Sequence, residues 1–144
     1  MKESSRVLEE FQVPYELVVS SAHRAPARTQ AYARSAAGRG LRVLIAAAGG
    51  AAHLAGTLAA STTLPVIGVP IGSSPLGGID ALLSTVQMPG GVPVATMAVG
   101  KWGARNAGIL AIQILALSAP PLACRLQAFK SSMAAAFEGR GKAR

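Results

Sequence analysis

Short runs of branched apolar residues alternate along this chain with longer stretches rich in alanine. Leu17 to Val19, Val43 to Ala46, Pro65 to Val69 and Val94 to Met97 each read as a strand with no polar face, the pattern of strands covered on both sides. Helix-length segments lie between them. Pro26 to Gly38 carries its proline early and its glycine at the close, the usual order for a helix. Further helices are expected over residues 51–60 and 76–85, from about Trp102 to Leu117, and over 122–137 after the Pro120-Pro121 break. The chain opens on another helix, Glu3 to Phe11, with Val7, Leu8 and Phe11 as its apolar stripe. Strand followed by helix throughout predicts an α/β fold, a parallel sheet with helices on both faces and right-handed crossovers. The connections are short, so residues 1–137 are expected to form a single domain, with a basic tail at 138–144 that holds Arg140, Lys142 and Arg144. A doubly wound domain ordinarily opens on a strand whose exit helps to build the ligand crevice. None precedes the first helix here, so the N-terminal strand is expected to be missing.

Composition sharpens this picture in two ways. The 144 residues can bury roughly 70% of their unfolded surface. Only 14% are charged and 51% are hydrophobic, against about 25–35% charge on a typical designed surface. With 16 glycines and 29 alanines, much of the outer face is expected to be covered by other subunits. The net charge of +8 suits an anionic ligand. Its basic residues are scattered and lack interleaved aromatics, which argues against nucleic acid as the partner. Cys124 is alone, which excludes an internal disulfide; its place between Leu122 and Leu126 reads as a packed small residue. The acidic, uneven start is no signal peptide and no clean run of about 18 apolar residues occurs, so a cytoplasmic location without membrane attachment is expected.

The chemistry concentrates at strand exits. Ser20-Ser21-Ala22-His23-Arg24-Ala25-Pro26 joins a strand to a helix, where hydroxyls, an arginine and free helix N–H groups can hold a phosphate. His23 then lies beside the anion, and an imidazole is the side chain suited to moving protons near neutrality; alternatively, Ser20 or Ser21 only caps the helix. Gly49-Gly50-Ala51-Ala52-His53-Leu54 forms the next exit, its glycines letting backbone approach a ligand, with His53 one turn into its helix. Ser73 and Ser74 follow the third strand, and Asp80 is expected to anchor that loop's amides. Gly100 to Ala107 follows the fourth, where Asn106 or backbone can close the site. Two histidines and one aspartate supply a conventional metal site poorly, and neither a Ser-His-Asp order nor a carboxylate pair supports a hydrolase.

Taken together, SAHRAP at 21–26, AAAGGAAHLAG at 46–56, PVIGVP at 65–70, LGGIDALLSTVQMPGGVPVAT at 76–96 and GKWGARNAGILAIQIL at 100–115 resemble the PurE family of N5-carboxyaminoimidazole ribonucleotide mutases. The resemblance implies a three-layer α/β/α flavodoxin-like fold and a homo-octamer with sites at subunit boundaries. It implies a ribonucleotide substrate and no metal or organic cofactor. It carries proton transfer onto His23, phosphate binding onto Ser21 and Arg24, and the carboxylate and imidazole side onto Gly49, Gly50, Ala51, His53 and Leu54. Ser73 or Ser74 falls on the family's later serine. Family chains begin with a strand and a Gly-Ser-x-Ser-Asp loop, whereas residue 1 corresponds to a point in the following helix; a start recorded downstream of the true one is the favoured explanation.

The implied reaction converts N5-carboxyaminoimidazole ribonucleotide to 4-carboxy-5-aminoimidazole ribonucleotide by decarboxylation and recarboxylation. His23 serves as general acid and then general base, and the expected pH profile is bell-shaped or single-sided near neutrality. The alternatives are direct carboxylation of aminoimidazole ribonucleotide by CO2, and a non-catalytic phosphoribosyl-binding remnant.

Overall fold

The computed structural model describes residues 1–140, with side chains through Glu138. In chain order the elements are α1 (Lys2–Glu10), α2 (Pro26–Ala36), a 3-10 turn (Ala37–Arg39), β1 (Leu44–Gly49), α3 (Leu54–Ala59), β2 (Val66–Ile71), α4 (Ile79–Val86), β3 (Ala95–Thr96), α5 (Lys101–Ala116) and α6 (Pro120–Arg140). The strands form a parallel sheet in the order β1-β2-β3. Residues 141–144 of the expected tail lie outside the described residues, and residues 138–140 continue α6.

Alternation along the strands builds the three layers. Leu44, Ala46 and Val66 point to one face and pack with Ala33, Ala55 and Leu58 of α2 and α3. Ile67 and Val69 point to the other and meet Ala104, Ala107 and Ala111 of α5. Ile67 and Val69 are almost fully enclosed, each stabilising the fold by about 1.5–3 kcal/mol through burial. The small face of α5 also admits α1. Ser4 donates to the Ala104 carbonyl at 2.6 Å, and a Cβ on Gly108 would sit 3.2 Å from the Ser4 carbonyl oxygen. Val7, Leu8 and Phe11 of the expected α1 stripe are all buried, against Ile112 and Leu122.

Several expectations need correction. Leu17 to Val19 is not a strand. It runs without a ladder, and Leu17 and Val19 are 65% and 86% exposed. A branched apolar triplet makes a strand only when a neighbouring backbone pairs with it, and β1, the nearest edge in sequence, does not. The helix expected from residue 51 starts at Leu54, because Gly50 and Ala52 have φ of +58° and +43°; His53 is therefore its N-cap. The helix expected from 76 starts at Ile79 behind Gly77 and Gly78, both of positive φ. The last helix, expected from residue 122, starts at Pro120, which suits a ring that has no N–H to donate; α5 has already ended at Ala116. Cys124 is exposed. Its spacing from Leu122 and Leu126 is a strand period, whereas the buried stripe of α6 follows Leu122, Leu126 and Phe129 at helical spacing.

Side chains, not a ladder, hold the segment from Pro14 to Ser20. Arg39 donates to both oxygens of Glu16 at 2.7 and 3.0 Å, and the Tyr32 hydroxyl donates to the same carboxylate at 2.8 Å. Tyr15 donates to Glu9 at 2.6 Å. The Arg39 bond, followed by that from Tyr32, lowers the Glu16 pKa. A depressed carboxylate pKa contributes order that is complete above the ordinary carboxylate range and lost as pH falls through the lowered value. Residues 15–20 should therefore exchange amide hydrogens several-fold more slowly than in an Arg39→Ala variant at neutral pH. That difference should shrink as the pH falls below the ordinary carboxylate range and be gone below the lowered value.

Candidate active site

The turn into α2 is closed locally. Ser21 Oγ accepts the Arg24 backbone N–H at 3.2 Å and Arg24 Nε–H at 3.5 Å, and the Ala25 N–H reaches the Ser21 carbonyl at 2.9 Å. Ser20 instead faces inward. Thr29 Oγ1 donates to the Ala25 carbonyl at 3.0 Å, so the Ser20 hydroxyl is the donor in its 2.7 Å contact with Thr29. Neither serine caps α2, whose N-cap is Ala25 with a proline at the first turn. The N-terminus of the helix is thus left uncapped beside exposed Arg24 and Arg28, a donor set that fits a phosphate. Arg28 was not singled out from the sequence; its i,i+4 spacing from Arg24 was the available signal.

His23 emerges from this turn and meets His53. Their rings lie 4.6 Å apart at 77°, and His23 Nε2 approaches His53 Nδ1 to 2.5 Å. One ring must donate and the other accept in such a contact, so one exposed imidazole holds the other by a hydrogen bond. The sequence placed His53 among ligand-lining residues; the structure makes it the direct partner of His23. Gly50 and Ala52 hold the turn that presents it. The Ala52 N–H bonds to the Gly49 carbonyl at 3.1 Å, and Ala52 is a buried non-glycine residue at φ +43°, a conformation that costs of order 1–3 kcal/mol.

The β1 and β2 exits touch because Gly49 has no side chain. A Cβ there would overlap Ser73 Oγ and lie 3.1 Å from the Ile71 carbonyl oxygen. Of the two serines, Ser73 is exposed at this junction. Ser74 is committed elsewhere: its hydroxyl donates to Asp80 at 2.9 Å and accepts the Leu76 N–H at 3.2 Å. Asp80 thus anchors the loop through the Ser74 hydroxyl, not through amides as expected. Ala51 is exposed on the His53 turn, whereas Leu54 packs on the α2–α3 core. Gly100, at φ +78°, closes the β3 exit by bonding to the Pro70 carbonyl at 2.9 Å. Asn106 is exposed in the second turn of α5, beyond the Gly100 exit. Among the described residues no cluster of three or more His, Cys, Asp or Glu could hold a metal, and no helix is long and apolar enough to cross a membrane.

Residues 1–136 match a family model described as AIR carboxylase. The N5-carboxyaminoimidazole ribonucleotide mutase of Bacillus subtilis (strain 168) is 59% identical over 126 residues, spanning 88% of this chain and 78% of that protein. The mutase of Pyrococcus horikoshii is 51% identical over 142 residues, 99% of this chain and 79% of that protein. A phosphoribosylaminoimidazole carboxylase of Schizosaccharomyces pombe is 57% identical over 133 residues; these are 92% of this chain but 24% of that longer protein. A crystal structure of Treponema denticola PurE superposes with a TM-score of 0.85 over 99% of this chain and 89% of that one. At 22% identity this last likeness speaks for the fold alone.

Proposed function

The chain belongs to the AIR carboxylase family, and from that premise we propose that it converts N5-carboxyaminoimidazole ribonucleotide to 4-carboxy-5-aminoimidazole ribonucleotide. The observation that carries the reading is the His23–His53 contact at the carboxyl end of β1. Ser21, Arg24 and the α2 N-terminus hold the phosphate. Gly49, Gly50, Ala51 and His53 face the carboxylate and the ring, with Ser73 beside them. Leu54 supports the turn from the core side, and Ser74 shapes the neighbouring loop.

The chemistry needs one proton moved twice. Breaking the N5–carboxylate bond releases CO2 and leaves the electron pair on nitrogen, which takes a proton from His23. The ring C4 then attacks the retained CO2, forming the new C–C bond, and neutral His23 removes the C4 proton. Holding CO2 against the ring replaces a bimolecular encounter with a local one. His53, in contact with His23, orients the ring and holds the alternate proton position.

The carboxylase descriptions of the family model and of the S. pombe relative favour a second reading, direct carboxylation of aminoimidazole ribonucleotide by dissolved CO2. The two are separated by supplying substrate labelled with 13C at the carboxylate in unlabelled bicarbonate. The mutase delivers label to C4, whereas the carboxylase takes its carbon from solution. A folded chain that binds the ribonucleotide and turns over neither substrate would leave only a phosphoribosyl-binding role.

The proposed assembly is a cytoplasmic homo-octamer. Ile79, Leu83 and Val86 form an exposed apolar stripe on α4, and Leu76 and Trp102 are 65% and 83% exposed nearby in sequence. Stripes of this kind are usually covered in soluble proteins. Light scattering should give about eight times the 14.5 kDa chain mass. Leu83→Glu should shift the mass towards smaller species.

A further inference from the structure

Asp80, the single aspartate of the chain, is not among the groups assigned to the substrate. It is the second residue of α4, and the helix is fixed to the sheet directly after it. Ala81 is fully buried. Thr85 donates to the Ala81 carbonyl at 2.6 Å, and Thr96 of β3 donates to the Thr85 carbonyl at 3.1 Å. Gly68 of β2 leaves room for the Thr85 methyl, which a Cβ at Gly68 would overlap. From this fixed base the Asp80 carboxylate accepts the Ser74 hydroxyl at 2.9 Å, and Ser74 Oγ accepts the Leu76 N–H at 3.2 Å. A hydroxyl bonded to a carboxylate is held more tightly than one bonded to a neutral group.

That bond is not needed to close the loop between β2 and α4. Residues 72–78 are already drawn together at their neck. A Cβ on Gly78 would lie 2.9 Å from the Gly72 Cα, and one on Gly72 would lie 3.0 Å from the Gly77 carbonyl oxygen. What the bond adds is the setting of the loop's interior. Ser73 and Ser74 are adjacent, yet their side chains serve different elements. Ser74 reaches α4, whereas Ser73 crosses the end of β1, where a Cβ on Gly49 would overlap its Oγ. The Ser73 N–H bonds to the Ile71 carbonyl at 3.0 Å, which fixes its backbone against the end of β2. One planar peptide unit joins the two serines, so releasing Ser74 from Asp80 swings the Ser73 hydroxyl away from the turn that carries His53.

We propose that Asp80 is a positioning residue of the reaction, a role that rests on the mutase reading and on Ser73 lining its carboxylate side. Acting through Ser74, Asp80 sets the Ser73 hydroxyl where it donates to the carboxylate leaving nitrogen and keeps the released CO2 beside C4. A displacement of about 1 Å at such a site costs up to about 10²-fold in rate. A loosened wall also opens a side path. The N5–carboxylate bond breaks, its electron pair stays on nitrogen, and His23 supplies the proton as before. CO2 then leaves for solvent before C4 attacks it, the product is aminoimidazole ribonucleotide, and His23 regains its proton from water.

The test uses the intact protein, substrate labelled with 13C at the carboxylate, and unlabelled bicarbonate. Asp80→Ala should lower kcat by about 10–100-fold and at least double the share of turnovers that end in aminoimidazole ribonucleotide and free label. Ser74→Ala should do the same, and it reads the same link if Asp80→Ala folds poorly. Asp80→Asn keeps an oxygen that accepts from Ser74, so it should recover most of the rate. Because the effect passes through Ser73, adding Asp80→Ala to Ser73→Ala should slow the reaction no further. Amide exchange at Leu76 and Gly77 should quicken several-fold in Asp80→Ala, a change measured without turnover. Additive Asp80 and Ser73 effects, an unchanged share of lost label, or unchanged exchange would each overturn the proposal. A Ser73→Ala variant equal to the parent would instead show that Ser73 does not line the site, and the proposal would fall with it. If the parent turns over no substrate, the mutase reading fails on that result alone. Calorimetry with 4-carboxy-5-aminoimidazole ribonucleotide then decides for Asp80: binding should weaken several-fold in Asp80→Ala and in Ser73→Ala, and no further in the pair, whereas parent-like binding by Asp80→Ala overturns its role.

Discussion

Replacing His23 by asparagine should lower turnover of N5-carboxyaminoimidazole ribonucleotide by roughly 10²–10⁴-fold, the span that a positioned acid–base group contributes. Asparagine can still donate to or accept from His53, so the turn into α2 keeps its geometry. What it cannot do is give a proton to the departing nitrogen and then take one from C4. Because His23 is exposed and belongs to no core cluster, thermal stability should change little. Binding of the ribonucleotide should also stay within a few-fold, since Ser21, Arg24 and the free end of α2 are untouched. The comparison to make is kcat against the dissociation constant, measured by rapid quench and by calorimetry. A variant that keeps turnover within tenfold of the parent would move the proton-transfer role onto His53. A variant that loses binding and turnover together would make His23 a ligand instead of an acid–base group.

What could be read in advance follows from the range of each interaction. The helices α1, α2 and α5 are written locally, in the stripe Val7, Leu8 and Phe11, in Pro26, and in the small face of Gly103, Ala104, Ala107 and Ala111. The apolar β2 is equally plain, being enclosed on both faces. Leu17 to Val19 carries the same local signal and makes no strand, because pairing depends on a neighbour's backbone and not on the residues themselves. Cys124 is exposed for a related reason: a period of two with Leu122 and Leu126 places a residue inside a strand's face but not inside a helix's stripe. In the site, Gly49 and Ser73 lie at strand exits as the motifs implied, whereas His23 lies on the turn into α2, which no strand precedes. Two roles stayed illegible. Which of Ser73 and Ser74 is committed depends on the place of Asp80, six residues on from Ser74. That His53 touches His23 depends on two positive-φ residues, Gly50 and Ala52, and a left-handed alanine leaves no mark in sequence.

The largest loss of stability from a single methyl group should come at Gly103. This residue is buried in the first turn of α5, against the backbone of the strand exit that precedes it. A Cβ there would overlap the Ala98 carbonyl oxygen and come within 2.6 Å of its carbonyl carbon and 3.2 Å of its amide nitrogen. Side chains can rotate away from an added methyl, whereas a peptide unit can retreat only by moving its segment. Here the segment is pinned. Met97 bonds to the Gly68 carbonyl at 2.8 Å and Gly100 to that of Pro70 at 2.9 Å, so Ala98 is fixed from both sides by β2. The Gly103→Ala variant must either break those bonds or lift the start of α5 from the sheet, and overpacking of this kind costs about 3 kcal/mol. For a chain of this size the melting temperature should fall by roughly 10 °C. Gly38→Ala is the matching control, since a Cβ there meets nothing within 4 Å; it should be neutral or raise stability by about 0.5 kcal/mol through the unfolded chain. Differential scanning calorimetry of the two variants tests the assignment. Equal melting temperatures would mean that α5 is free to shift on the β3 exit, and the Gly100 turn could not then be a fixed wall of the site.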